Sequence, residues 1–148
     1  MRYRSRPFLA LIPAAAVLGG AAPVADCDVS VSVIGMRSAR GQVLACLTTR
    51  PDAFPDCTGD PQARKLAVAA ALNPQLDFGP VPVGHYAISL IHDENGNGRL
   101  DTRLMIPREG FGFSRDAPAR FGPPSFDRAV FAVDGAGTHL AIKMRYLL

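Results

Sequence analysis

The chain of 148 residues has no tryptophan, only three cysteines and three histidines, and no apolar run long enough to cross a bilayer. Each scarcity removes a class of function. No Cys-x-x-Cys and no His-x-x-x-His spacing occurs, so a closed zinc site has no ligand framework. His-Glu-x-x-His and the Gly-x-Ser-x-Gly elbow are also missing, which removes the sequence signals of zinc proteases and of α/β-hydrolases. The apolar stretch near the start, "FLALIPAAAVL", has 11 residues, against the roughly 20 that a membrane-spanning helix needs.

That stretch follows Arg2, Arg4 and Arg6 and precedes "GGAAPVA", the order of an export signal with small residues for cleavage. The reading is a signal peptide over residues 1–25, cut between 21 and 25, and one mature domain over 26–148. Cutting after Ala21 places Gly19 and Ala21 where signal peptidase reads. Cutting after Ala25 places Pro23 there. Asp26 before Cys27 is wrong for lipid attachment, and no adjacent arginine pair marks the twin-arginine route. The expected location is periplasmic or secreted, with no transmembrane segment after cleavage; a signal anchor is the alternative.

Excess charge disappears with the leader. Three of the 16 basic residues lie in it, leaving 13 against 13 acidic ones. The basic pI of the whole sequence therefore says nothing about nucleic acid, which needs a net basic face to displace counterions. About 120 mature residues suffice for one domain with a core.

What remains is rich in short alternating runs. "DVSVSVIG" sets Val29, Val31 and Val33 against Ser30 and Ser32, the period of a half-buried strand. "QVLACLTT" follows after "RSARG" and reads as its hairpin partner. "QLDF", "HYAISLI", "AVFAV" and "THLAIKMRYLL" continue the pattern, the last with Leu140, Ile142, Met144 and Tyr146 on one face. "DPQARKLAVAAALNP" conflicts: its caps and alanines spell a helix, yet Leu66, Val68 and Ala70 fit a period of two. A strand over 65–71 after a short helical turn suits the neighbours better. The fold expected is all-β, a single small β-sandwich of immunoglobulin or transthyretin type, with six or seven strands and one long ordered loop.

In an oxidising compartment the cysteines pair. Two prolines and an aspartate turn the chain back within "CLTTRPDAFPDC", making Cys46–Cys57 the expected disulfide and leaving Cys27 over; Cys27–Cys57 is the alternative. Closing so short a loop is worth about 3 kcal/mol in the chain-entropy account.

The long loop, between Asn95 and Ser125, holds the candidate sites. Laid on an EF-hand pattern, Asp93, Asn95, Asn97, Gly98 and Asp101 take positions one, three, five, six and nine. The Arg99 carbonyl falls at seven and the apolar Leu100 at eight. Leu104 stands where the bidentate Glu belongs at twelve, and Glu109 is the residue that could fold back to replace it. Such a set predicts a weak structural Ca2+ site, Kd roughly 10⁻⁴ to 10⁻³ M. The plainer reading is that the two Asn-Gly pairs only supply positive φ for a turn. Phe111, Phe113 and Phe121 are candidates for a ligand platform, or else pin the loop together with Phe126. Arg103, Arg108, Arg115, Arg120 and Arg128 lie among Asp101, Glu109, Asp116 and Asp127, so mutual ion pairing is expected there.

"YAISLIHDENGNGRLD", followed by "IPREGFGFS" and "FGPPSFDRAVF", resembles a family of bacterial exported proteins, domain of unknown function 2141. Its hallmark is His-Asp-Glu-Asn-Gly-Asn-Gly, then Gly-Phe-Ser, then Gly-Pro-Pro. The resemblance covers most of the mature chain and is strongest over 84–131. It implies a periplasmic or secreted β-sandwich and supplies no activity. "PVPVGHYAISL" is also similar to a strand of transthyretin-like and collagen-adhesin B-type sandwiches. The hydrolase of the transthyretin-like group ends in Tyr-Arg-Gly-Ser; this chain ends "KMRYLL", so that activity does not carry over.

Two functions follow. The first is a cell-envelope binding or structural module whose partner is an envelope protein or glycan. The second is a periplasmic hydrolase using His92 with a nearby carboxylate or Ser114. Neighbours on a strand point to opposite faces, so the adjacency of His92, Asp93 and Glu94 does not make a catalytic pair. His92 is expected to cap the loop or pack beneath it.

Overall fold

A computed structural model describes residues 19–148; most of the expected export signal lies outside the described residues. Two sheets face each other. The smaller is ordered β10–β1–β4, from Thr138–Lys143, Asp26–Ile34 and Gln75–Pro82. The larger is ordered β3–β2–β5–β8, from Arg64–Ala69, Gln42–Thr48, Gly84–Asp93 and Gly110–Phe113. β9 (Phe131–Val133) pairs with the first residues of β5. β6 (Thr102–Arg103) and β7 (Ile106–Pro107) form a small separate hairpin. A 3-10 turn, Ser114–Asp116, and α1, Phe126–Ala129, are the helical pieces among the described residues. The architecture is the all-β sandwich expected.

The period-two pattern explains the core. Val29, Val31 and Val33 of β1 share the inner face of their sheet with Leu76 and Phe78 of β4 and Ile142 of β10, in one core with Val43, Leu47, Ile88 and Leu90 of the larger sheet, all buried. Ser30 and Ser32 lie on the outside of β1. Alternation also settles the ambiguous segment: β3 is a strand, with Leu66 and Val68 packed on the core and Arg64, Lys65 and Ala67 exposed. Its ladder to β2 supplies what local helix signals could not.

One expectation fails. β1 and β2 are not a hairpin: β1 pairs in parallel with β10 and antiparallel with β4, while β2 pairs with β3 and β5. The intervening residues cross from one sheet to the other. β2, apolar on both faces, needs a strand on each edge and cover on each side, which one hairpin partner cannot provide.

The long loop is also more regular than its composition suggests. In β8, Gly110 and Gly112 alternate with Phe111 and Phe113. The glycines face inward, where a Cβ on Gly110 would stand 2.5 Å from the Tyr146 ring and one on Gly112 would stand 3.0 Å from Ile142. The phenylalanines therefore point to the outer face of the larger sheet. There they pack with Ala87, Ala117 and Ala129, under Phe54 and Phe126, as a second small core.

Candidate functional site

The outer face of the larger sheet carries a cleft of about 590 Å³. Ser89, Ile91, Phe111 and Phe113 floor it; Pro55 and Asp56, the β6–β7 hairpin and residues 119–123 wall it. Each wall is held by something local. Cys46 faces outward on β2 and bonds to Cys57, which lays the segment between them across the sheet. Ser89 donates a hydrogen bond to the Pro55 carbonyl, pinning the same segment. Cys27 is free and buried in the main core.

The hairpin wall grows from the Asp/Asn/Gly loop. Asp93 is wholly buried, and its Oδ1 accepts from Asn97 N at 3.0 Å. Its Oδ2 accepts from Gly98 N at 2.7 Å and from Gln42 Nε2 at 2.8 Å. Burial alone would raise the Asp93 pKa; these bonds outweigh it and hold the carboxyl below its usual range. Asn95 Oδ1 accepts from Asn97 N, and Asn97 Oδ1 from Arg99 N. The amide nitrogens of Asn97 and Asn95 both donate to Asp101, at 2.9 and 2.6 Å, and lower its pKa. Glu109 does fold back: Oε1 accepts from Glu94 N and Oε2 from Asp101 N, each at 2.9 Å. Gly96 and Gly98 adopt positive φ, as a tight turn needs. Among the described residues no three His, Cys, Asp or Glu side chains gather around one point.

Residues 31–141 match the family described as an uncharacterized protein conserved in bacteria, DUF2141. The chain belongs to this family. No curated protein and no solved structure matches the chain. Within the family segment, the loop, β8 and residues 121–123 all meet at the cleft, so the three runs singled out in the sequence converge on one face.

His92 is not part of that face. It sits on the inner side of β5, wholly buried. Its Nε2 lies 2.8 Å from the Arg40 carbonyl and so carries the proton. Its Nδ1 accepts from the Tyr146 hydroxyl at 2.8 Å. Ser114 Oγ accepts from Ile88 N at 2.9 Å and donates to the Ala129 carbonyl at 2.5 Å. Ser114 follows Phe113, which pairs with Ser89, while His92 pairs with Gly110. The two are thus about four residues apart along β5, roughly 13 Å at strand spacing. Both side chains are fully engaged, and neither reaches the cleft. A serine–histidine cluster that the sequence reading missed joins Ser30 and Ser32 to His139, each at 2.9 Å. It lies on the outer face of the smaller sheet, with Gln75 accepting from Ser32.

The phenylalanine candidates divide. Phe111 and Phe113 are buried floor, whereas Phe121 stands fully exposed on the rim. Opposite it, Leu104 is 89% and Met105 93% exposed at the hairpin tip. The expected ion pairing does not occur. Arg103, Arg108, Arg115, Arg120 and Arg128 make no ion pair among the described residues. Their acidic neighbours are otherwise engaged: Asp101 by two amides and by Arg99 at 3.6 Å, Glu109 by two main-chain N–H groups, Asp116 by Lys143 N. Asp127 is exposed at the first turn of α1.

Sequence reasoning also missed the arginine that ties this end together. Arg37 donates to Glu94 through Nε and an η nitrogen, at 3.1 and 2.6 Å, and Ser38 donates to the same carboxylate at 2.9 Å. The Arg37 guanidinium lies 4.4 Å from the centre of the Tyr146 ring. These hydrogen bonds, led by Arg37 and opposed by burial, pull the Glu94 pKa from 4.5 to about 2. The signal was faint: a lone arginine in a short turn and a tyrosine three residues from the end.

Proposed function

We propose that the protein is an exported module of the bacterial cell envelope, periplasmic or secreted, that binds an envelope component through the outer cleft. The observation that carries this reading is a preformed apolar cleft whose rim holds Leu104, Met105 and Phe121 out in solvent. Isolated exposed hydrophobes are ordinary; three around one concavity suit recognition of a protein or of the apolar part of a glycan. The disulfide suits an oxidising compartment, as does the leader-like start of the sequence. No helix among the described residues is long and apolar enough to cross a membrane.

In the same reading, a weakly held Ca2+ ion orders the loop 93–101 and with it the hairpin wall. The ligand oxygens would be those of Asp93, Asn95, Asn97 and Asp101, the Arg99 carbonyl and Glu109, which the ion must draw together, since the three carboxylates do not already gather around one point. Each asparagine oxygen accepts one N–H and retains a second lone pair for a cation. Asp101, whose charge meets two amide donors and an exposed Arg99 at 3.6 Å, gains most from a cation. The role is structural.

The test compares wild type with Phe121→Asp in capture from an envelope extract. A partner held by wild type and lost by the variant is expected. Equal capture by both, or turnover in a hydrolase panel, would overturn the reading. Intact mass from a periplasmic fraction checks export, with a first residue between 22 and 26 expected.

A further inference from the structure

We propose that the cleft and the arginine-lined depression beside it form one site for an anionic amphiphile. An acyl chain lies over Phe111 and Phe113, and a carboxylate or phosphate head meets Arg120 and Arg128. This rests on the binding-module reading above and names the ligand class.

The lining decides against a purely polar ligand. Few polar side chains border the cleft, and two of them are committed: Ser89 to the Pro55 carbonyl and Asp56 to Thr58 N. A bare sugar or an extended peptide would leave hydroxyls or amides without partners, which is costly in an apolar site. A volume of about 590 Å³ is in the usual range for a small-molecule site. It holds on the order of 20 water-sized groups, room for one chain rather than two.

The second observation is charge placed at one end. A depression of about 540 Å³ adjoins the cleft, shares residues 120–123 with it, and is lined by Arg120 and Arg128. Both arginines are exposed and without an ion-pair partner among the described residues. Phe121 borders both spaces, so a chain in one and a head in the other is a continuous path. The chain beyond the leader carries no net positive charge, so attraction for an anion is local to this pair.

The third observation is the hairpin tip. Leu104 and Met105 occupy the central positions of the β6–β7 turn at φ 50° and 66°. Asn or Gly suits such a turn, because a branched or long side chain is strained there. The chain instead places two large apolar groups on strained backbone, facing solvent, at the cleft mouth. Folding gains nothing from that arrangement; a chain lying between the hairpin and Phe121 covers it.

The experiment is calorimetric titration of the purified protein with octanoate, decanoate, dodecanoate, dodecyl phosphate and dodecyl maltoside, each below its micelle concentration. One-to-one binding of dodecanoate or dodecyl phosphate is expected, weakening up to about fourfold for each methylene removed. Whichever head binds tighter identifies a free fatty acid or a phosphorylated lipid as the source. Arg120→Gln with Arg128→Gln should weaken both anions about tenfold and leave dodecyl maltoside unchanged; exposed and unpaired, these arginines can be replaced without unfolding the protein. Met105→Ser should weaken all three dodecyl ligands. Indifference to chain length, or equal binding of the neutral and anionic dodecyl compounds, overturns the proposal. So does a lack of amphiphile binding with sedimentation on anionic vesicles, which would make the rim a membrane contact. If amphiphiles fail while an envelope partner is still lost with Phe121→Asp, this inference falls and the binding-module reading stands.

Discussion

Replacing Glu94 by Gln tests whether charge, rather than packing, holds the loop to the sandwich. The carboxylate is 10% exposed and receives two bonds from Arg37 and one from Ser38. Arg37 in turn donates to the carbonyls of Arg108 and Leu148, so one ion pair fastens the crossing between the sheets, the loop and the C-terminal residues. The Glu94 pKa falls from 4.5 to about 2, and each unit is worth 1.36 kcal/mol, giving a ceiling of about 3 kcal/mol. Arg37 is 36% exposed, and screening by solvent reduces that to about 2 kcal/mol. For a domain of this size the melting temperature should drop roughly 6–10 °C at pH 7.

The sign fixes the pH window. The folded pKa lies below the unfolded one, so the unfolded chain takes up the proton first as pH falls. The stabilisation is complete above about pH 4.5 and is lost between there and about pH 2. Thermal melts followed by circular dichroism from pH 7 down to 2.5 should show the gap between wild type and Glu94→Gln shrinking through that window. Other carboxylates with lowered pKa, such as Asp93 and Asp101, act in both proteins and cancel in the difference. A double-mutant cycle with Arg37→Met should give a coupling of about 1–2 kcal/mol. A gap that stays constant with pH, or no gap at pH 7, refutes the argument.

Calcium at 100 times Kd should add about 2.7 kcal/mol, a melting rise of roughly 8–15 °C over chelator, and Asp93→Ala should abolish the rise; coincident wild-type melts would leave the loop a turn. Removing the disulfide with Cys46→Ala and Cys57→Ala should cost about 3 kcal/mol, since its ends are 11 residues apart; denaturant unfolding checks it. Gly110→Ala should cost about 1–3 kcal/mol by overpacking Tyr146 and Met144, whereas Gly135→Ala, whose Cβ meets nothing within 4 Å, should be near neutral in the same melts.

The strands were legible wherever one face is core and the other water. Val29, Val31 and Val33 against Ser30 and Ser32 announce β1, and Leu66 and Val68 decide for a strand against strong helix caps. Partners were not legible, because alternation gives a face and not a neighbour; hence the wrong hairpin of β1 with β2. β8 escaped because Gly-Phe-Gly-Phe reads as a loop until β10 is seen to need the space that the glycines leave. The arginines misled because acidic residues nearby in sequence were assumed free. In the fold, main-chain and amide donors engage Asp101, Glu109 and Asp116, and the ion pair that Asp101 does make is with Arg99.

The His-Asp-Glu run owes its chemistry to strand geometry. His92 points inward and joins Tyr146 to the Arg40 carbonyl. Asp93 points outward and gathers the N–H groups of Asn97 and Gly98, forming the loop. Glu94, where the strand has ended, turns to Arg37 and Ser38. Three consecutive polar side chains thus serve three separate bodies: the core end, the loop and the crossing between sheets. A catalytic arrangement needs the opposite, several groups aimed at one accessible point. With these residues committed to holding the fold together, the adjoining surface that stays open is the cleft, which the hairpin built on that loop and Phe121 both border. Fixing the loop therefore sets the position of Leu104 and Met105 at the cleft mouth, and a change at Glu94 should be felt there as weaker ligand binding with the floor residues intact.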